Sequence, residues 1–575
     1  MAKKATAPKT PQPDETPINP APAAPLPAPP APPAKPAKIP EKPAKVPLPK
    51  KPAAPKAPKA PKAPKAPKAP RTPSTSGTVS TSTLSTASTI STISTSALDI
   101  LMVTPEARPF AKTGGLADVC GALPRALAKL GHRVTIVLPK YRGTPTDGAE
   151  GQSADIPFGL HTYPVRFVEQ RVADGVTAVL VDAPALYDRD GLYGDARGEF
   201  GDNAFRFAVL CRGALEYARL RGARPSVIHA HDWQGGLAPV YARTVLREDP
   251  IVGGVRTVLT IHNLAFQGNF DPAELTWIGL GPDLFTPDLL EFWGRGSALK
   301  GGVVFADTIT TVSPTYAREI LTPAYGFGFN GILARRAQDL TGILNGIDTQ
   351  AWNPATDKYL PAHFDAETIE WKALVKRGLL EYAGLPHDEH AMARPVIGMV
   401  TRLTHQKGCD LMAGAADRLM GVDAAWVMLG SGDGWCEDLW RHLAGRHPER
   451  VAARIGFDEQ LAHLIEAGSD MFLMPSWYEP CGLNQMYSQR YGTVPIVRAT
   501  GGLNDTVVDV DEVPDRATGF KFRDYTPDAV VWAVERALGA FPDSKHWKAI
   551  QQNGMRQDFS WDVSAREYVK VYRGA

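Results

Sequence analysis

Several short stretches of the chain combine residue types suited to a charged, hydroxyl-rich ligand. Lys112-Thr-Gly-Gly-Leu-Ala-Asp118 joins a mobile cation to a glycine pair. Gly114 and Gly115 carry no Cβ, so a phosphate could approach their N–H groups and the positive end of a following helix. Asp118 could bind a sugar hydroxyl or help cap that helix. The stretch is neither GxGxxG nor a Walker A sequence, and a plain tight turn is the alternative. Arg402-Leu-Thr-His-Gln-Lys-Gly408 offers two permanent cations, Arg402 and Lys407, for a pyrophosphate or a departing phosphate, unless both are simply solvated. In Glu479-Pro-Cys-Gly-Leu-Asn-Gln-Met-Tyr487, a carboxylate fixed before proline could accept sugar hydroxyls or stabilise developing positive charge. Gly482 is expected to open a helix there. Cys481 has no evident basic partner, so it reads as a packing or substrate-lining residue rather than a nucleophile. Ala499-Thr-Gly-Gly-Leu503 is a second Gly-Gly turn, with Gly501 and Gly502 as candidates for an outer phosphate. His229-Ala-His-Asp-Trp233 suits zinc poorly: the two imidazoles are expected on opposite faces of the strand, and no carboxylate or Cys cluster completes a site. His231 fits either hydrogen bonding and proton handling at a polar substrate or a satisfied structural role. Thr260-Ile-His-Asn263 repeats the theme.

The elements that must position these loops are legible. Leu98–Val103 is a short apolar run, a helical pattern spans Leu116–Leu130 up to Gly131, and Val134–Leu138 is the next strand. Strand, helix and strand within about forty residues make a βαβ unit and a parallel sheet. Further strands are expected at Ala178–Val181, Val227–Ala230, Val258–Ile261 and Thr308–Thr311. A second series covers Val396–Val400, Ala425–Leu429, Met471–Met474 and Val494–Val497. The expected class is α/β, with two doubly wound Rossmann-like domains. Each chemistry-bearing loop then lies near a strand's carboxyl end, facing a cleft between the domains.

Composition separates this body from what precedes it. Residues 1–98 hold 15 of the 63 Lys and Arg and 3 of the 61 Asp and Glu, a net of +12, so the remaining 477 residues net −10. The stretch before Ser74 holds 25 of the 52 prolines and settles into a Pro-Lys-Ala register. It is expected to be disordered or extended over residues 1–73, with a Ser/Thr-rich linker over 74–97. A solvated spacer is one reading, a salt-sensitive arm for an anionic partner the other; no specific nucleic-acid binding is expected. The five cysteines are widely spaced and form no CxxC pair, which fits a reducing, cytoplasmic setting better than a disulfide framework. No run is long and apolar enough for a membrane span, and the basic start lacks the apolar core of a secretory signal.

Taken in order, the motifs resemble the bacterial glycogen synthase and plant starch synthase family, retaining GT-B glucosyltransferases of family GT5. The matching pieces are Lys112–Asp118, His229–Trp233, Thr311-Val-Ser-Pro-Thr-Tyr316, Leu344-Asn-Gly-Ile-Asp348, Arg402–Gly408 and Glu479–Leu483. They run through essentially all of 98–575. The resemblance implies a GT-B fold: an acceptor-side domain over 98–345, a nucleotide-sugar domain over 346–548, and a carboxy-terminal helix, 549–575, crossing back to the first. It implies transfer of glucose from ADP-glucose to the non-reducing 4-OH end of an α-1,4-glucan such as glycogen, without cofactor or metal. By this analogy Lys112, Gly114 and Gly115 lie near the donor phosphates and the acceptor, with Asp118 also on the donor. Arg402 and Lys407 neutralise the leaving diphosphate. His231 contacts the glucose, joined by Asn345. Glu479 with Gly501 and Gly502 holds the sugar and distal phosphate, and Phe457 stacks on the base. Asn263, Cys481 and Gly482 complete the substrate lining. Asn484 stands where some relatives have Thr. With no second carboxylate for a double displacement, retention points to front-face attack assisted by the leaving phosphate. The alternatives are a related transferase using UDP-glucose or another acceptor, a glucan phosphorylase, for which no pyridoxal-phosphate lysine motif is evident, and a catalytically dead binding protein.

Overall fold

The computed structural model describes residues 96–146, 148 and 150–574. The expected disordered tail, 1–73, and nearly all of the linker, 74–97, lie outside the described residues.

β1 (Asp99–Val103) is apolar and buried beyond its first residue, as a strand covered on both faces must be. It pairs in parallel with β2 (Arg133–Pro139), from Asp99 opposite Arg133 to Val103 opposite Val137. Between them runs α1 (Gly115–Lys129), and Gly131 beyond it takes φ +88°, a left-handed conformation that glycine adopts without a Cβ clash. Among the described residues nine strands form the first sheet. Its order is Leu340–Gly342, Thr308–Thr311, Arg256–Ile261, Val227–His231, β1, β2, and then β5 (Val176–Asp182), β4 (His161–Ala173) and β3 (Gly151–Phe158).

β5 is still parallel to β2, and the sheet departs from the expected parallel pattern only at its edge. β4 is antiparallel to both β3 and β5. Much of β3 and β4 faces solvent, so they lack the continuous apolar runs that mark the buried strands. The second sheet runs Val451–Ile455, Ala425–Gly432, Val396–Leu403, Met471–Met474, Val494–Arg498 and Phe520–Phe522, with every pairing parallel.

Two passages of chain connect the halves side by side. Ile347 N–H donates to the Phe559 carbonyl at 2.8 Å, and Ser564 Oγ donates to the Leu344 carbonyl at 2.6 Å. Gly346 belongs to this crossing, since a Cβ there would sit 2.7 Å from the Trp561 backbone. The return begins later than the expected residue 549. The Ser544–Met555 helix packs its Trp547 and Ile550 into the second half's core. Of these two helices it is Trp561–Arg573 that lies on the first half, where Tyr568 and Tyr572 join the core beside α1. A helix that buries Trp547 and Ile550 cannot leave that core before its last turn. No helix among the described residues is long and apolar enough to cross a membrane.

Candidate active site

The carboxyl ends of both sheets open onto one cleft holding a cavity of about 640 Å³. On its first wall, the chain leaves β1 through Thr104-Pro-Glu106. Glu106 is 2% exposed, and its carboxylate organises the glycine loop. Oε2 accepts from Thr113 N–H at 2.5 Å and, more distantly, from Gly114 N–H at 3.4 Å; Oε1 accepts from Thr113 Oγ1 at 2.6 Å and from the Tyr193 hydroxyl. Gly114 and Gly115 are left open to the cleft: a Cβ at Gly114 would meet nothing within 4 Å. Asp118, in the first turn of α1, pairs with Lys112 at 2.7 Å and Arg108 at 3.0 Å. Its carboxylate is therefore shared by two cations, and it does not cap the helix.

The Val227–His231 strand ends in a tight cluster. Asp232 takes φ +52°, rare for a non-glycine residue, and its Oδ1 accepts from His262 N–H at 2.6 Å and more weakly from Asn263 N–H at 3.4 Å. Burial pushes its carboxyl up to about 7 against the pull of those N–H groups. The structure corrects the expectation for His231. Its side chain is fully buried, with Nδ1 3.0 Å from His262 Nε2 and with Nε2 lacking a partner; His262 and Asn263 line the cleft in front of it. The strand pleat explains this, because His231 points into the layer and the next strand's loop covers it. Burial holds His229 and His262 down to about 3, so both are neutral. His229 is structural: Thr260 Oγ1 lies 2.6 Å from its Nε2 and the Tyr572 hydroxyl 2.8 Å from its Nδ1, which ties the returning helix to the sheet.

The opposite wall carries the cations. Gly408 at φ +82° turns the chain into the Cys409–Leu419 helix; a Cβ there would strike the Pro475 carbonyl at 2.2 Å. That turn fixes Lys407, whose Nζ lies 2.5 Å from Glu479 Oε2 while Ser476 Oγ donates to the same oxygen at 3.0 Å. Arg402 lines the cleft as an exposed side chain. Phe457 follows Gly456 (φ +131°) and stands 88% exposed at the cleft edge. Asn484 lines the cleft with its Nδ2 committed to the Val400 carbonyl at 2.7 Å. Gly482 lies in the loop at φ +72°, and the helix begins at Asn484 rather than at the glycine. Cys481 lines the cleft, and burial pushes its thiol up to about 12, which keeps it protonated and unfit as a nucleophile. Asn345, from the crossing segment, presents a buried Oδ1 without a partner to the same space.

Gly501 and Gly502 depart from expectation. Gly501 N–H donates to both Glu319 carboxylate oxygens at 3.1 Å, and Gly502 N–H to the Glu479 carbonyl at 3.1 Å. A Cβ on Gly501 would fall 1.9 Å from that carbonyl, and one on Gly502 2.1 Å from the Cys481 carbonyl. These glycines let two loops touch backbone to backbone beneath the site, so their N–H groups are already used.

The structure also supplies cleft residues that the sequence reading did not assign: Glu106, Arg108, Asp232, His262 and Trp352, the last stacked 3.9 Å from both His463 and Tyr487. Position just past β1 marked Glu106, and the quoted His-Ala-His-Asp run already contained Asp232. Trp352 offered no local signal.

Comparison with known proteins agrees with this arrangement. A family model described as starch synthase catalytic domain matches residues 99–335, and one for group 1 glycosyl transferases matches 387–554. A glycogen synthase of Koribacter versatilis is 47% identical over 480 residues, 83% of this chain and 98% of the relative. One of Anaeromyxobacter dehalogenans is 49% identical over 477 residues, 83% and 99% of the two chains. The solved catalytic domain of starch synthase IV from Arabidopsis thaliana, bound to ADP and acarbose, superposes with a TM-score of 0.76 at 34% identity, covering 83% of this chain and 99% of that one. A sucrose-phosphate synthase from Thermosynechococcus elongatus shares the fold alone, at a TM-score of 0.53 and 16% identity, over 83% and 98% of the two chains. With two facing α/β halves, the motif loops on their strand ends and relatives matched over nearly their whole length, the chain belongs to the bacterial glycogen synthase and plant starch synthase family of GT-B glycosyltransferases.

Proposed function

We propose that this protein elongates an α-1,4-glucan such as glycogen by transferring glucose from ADP-glucose to its non-reducing 4-OH with retention of configuration. One observation carries the reading: Arg402 and Lys407 on one wall face the open Gly114–Gly115 loop on the other across a single cleft, with Glu479 and Asn345 between polar groups of both halves. The relatives are glycogen synthases, and the structurally similar starch synthase IV holds ADP and acarbose. The free cysteines, all buried, fit a cytoplasmic setting.

Each residue has a task in this reading. Phe457 offers an aromatic face to the base. Arg402 and Lys407 take the diphosphate, and their charge counts most when the anomeric C–O bond breaks and negative charge gathers on the departing oxygen. Glu479 and the unpartnered Asn345 Oδ1 accept sugar hydroxyls. The acceptor 4-OH attacks from the face the diphosphate leaves, and its proton passes to the departing phosphate oxygen. His231, behind His262, orients that imidazole rather than touching sugar. Radiolabel transfer onto glycogen from ADP-glucose and from UDP-glucose tests the reading. Preferential transfer from ADP-glucose is expected; transfer only from UDP-glucose, or none from either, would refute it.

A further inference from the structure

The three-stranded sheet beside the cleft contains the two-residue hairpin Glu291-Phe292-Trp293-Gly294-Arg295. Trp293 takes φ +52° and Gly294 φ +78°, the geometry of a tight hairpin turn that favours Asn-Gly. A tryptophan in that backbone region is an outlier, and such strain collects at functional positions. Its indole is 83% exposed. A lone exposed aromatic needs no explanation, but this one continues a path. Phe266 is 50% exposed and lines the cleft. Next to it, Gln267 Nε2 donates to the Phe327 carbonyl at 2.8 Å. Phe327 is itself at φ +47°, with its ring 5.2 Å from that of Tyr478, the neighbour of Glu479. Gly328 follows, and a Cβ on it would lie 3.2 Å from Trp293 Nε1. Phe266, the half-buried Phe327 and Trp293 thus follow one another through these neighbouring contacts from the cleft edge to the hairpin tip, with the strained backbones at the last two. Exposed Arg295 and Asn269 on the same small sheet offer hydrogen bonds.

We infer that this line is a docking track for the acceptor, on which an α-1,4-glucan chain leaving the cleft lays its sugar rings over Phe327 and Trp293. The inference rests on the proposed glucan-elongating function and deepens it. Sugar C–H faces stack on aromatic rings, while Arg295 and Asn269 take hydroxyls. A track of this kind holds long chains and ignores an acceptor too short to leave the cleft.

The test uses the full chain with Trp293→Gly, which also relieves the turn, and Trp293→Tyr, which keeps a ring. Calorimetric binding of maltoheptaose and maltotriose is measured beside steady-state transfer to glycogen and to maltotriose. Trp293→Gly should weaken maltoheptaose binding and raise the KM for glycogen about tenfold. Maltotriose binding, the KM for ADP-glucose and kcat should stay put, and Trp293→Tyr should recover most of the loss. Unchanged maltoheptaose affinity in Trp293→Gly, or equal weakening for both oligosaccharides, overturns the track. Wild-type protein that binds neither sugar and transfers no glucose overturns the proposed function instead.

Discussion

Replacing Lys407 with methionine separates two jobs that its geometry combines. The ammonium stands 2.5 Å from Glu479 Oε2, and the two side chains are only 16% and 7% exposed. Removing it strands a buried carboxylate with Ser476 Oγ as its remaining side-chain donor. Breaking one partner from a buried pair costs about 3–5 kcal/mol, and the cleft's water places this one near about 3 kcal/mol. Glu479→Gln in the same background removes the stranded charge and should restore about 2 kcal/mol of that loss. Urea unfolding of the two single variants and the double variant reads these values. Turnover should behave differently. A cation aimed at the departing diphosphate contributes mainly in the transition state, so Lys407→Met should lower kcat by about 10²–10³. The double variant should be at least as impaired while regaining stability. Turnover in the double variant within about tenfold of wild type would refute the reasoning, since Lys407 would then serve only to neutralise Glu479.

Glu106→Gln puts an amide donor against the Thr113 N–H, Thr113 hydroxyl and Tyr193 hydroxyl, all of which already donate to that carboxylate. It should lower kcat/KM for the donor about tenfold and cost about 1–3 kcal/mol of stability, as single-turnover kinetics and urea unfolding would show. Phe457→Ala should raise the KM for ADP-glucose about tenfold and leave the KM for glycogen unchanged, because a stacked base contributes about 1–3 kcal/mol. Acid stability carries a signed prediction. His229 and His262 fall from 6.5 to about 3, so between those values the unfolded chain binds their protons and stability drops as pH falls below 6.5. Asp232 is raised from 3.8 to about 7, so the native state holds its extra proton in that window and opposes the loss. His231, which burial also holds well below 6.5, adds to the loss, so three histidines outweigh the one carboxyl and stability falls between pH 6.5 and 5. Asp232→Asn removes that opposing proton and should steepen the loss by about 2 kcal/mol over this range in urea titrations; a flatter profile would contradict the assignment.

Parallel strands buried on both faces announce themselves, which is why Val227–Ala230, Val258–Ile261 and Met471–Met474 were readable from apolar runs alone. The antiparallel β3 and β4 were not, because a half-exposed pair leaves only a faint alternation. Loop residues were readable where chemistry and strand end coincide, as at Lys112, Arg402, Lys407 and Glu479. Side-chain direction was not readable. The i, i+2 spacing puts His229 and His231 on one face of their strand, with rings 4.1 Å apart, and not on the expected opposite faces; only the neighbouring strand decides that His262 stands in front of His231. Gly501-Gly502 looks like Gly114-Gly115 in sequence. The difference lies in what approaches: a carbonyl 1.9 Å from the first pair's missing Cβ, and nothing within 4 Å at Gly114.

The charges of the cleft are matched within the protein itself: Lys112 and Arg108 on Asp118, Lys407 on Glu479, and the Thr113 N–H on Glu106. Folding requires this of Lys407, Glu479 and Glu106, since an unpaired charge at their burial would be expensive. It also shapes the chemistry. In the proposed transfer, a diphosphate that displaces Glu479 from Lys407 exchanges one ion pair for another, so the gain in the ground state is only the difference between them. That difference widens as the C–O bond breaks and the departing oxygen gathers charge, whereas Glu479, freed toward the sugar, meets a ring becoming positive. The same exchange therefore favours the transition state on both sides of the breaking bond. In the same proposal Arg402, exposed at the end of its strand, stands outside the exchange and meets the diphosphate first.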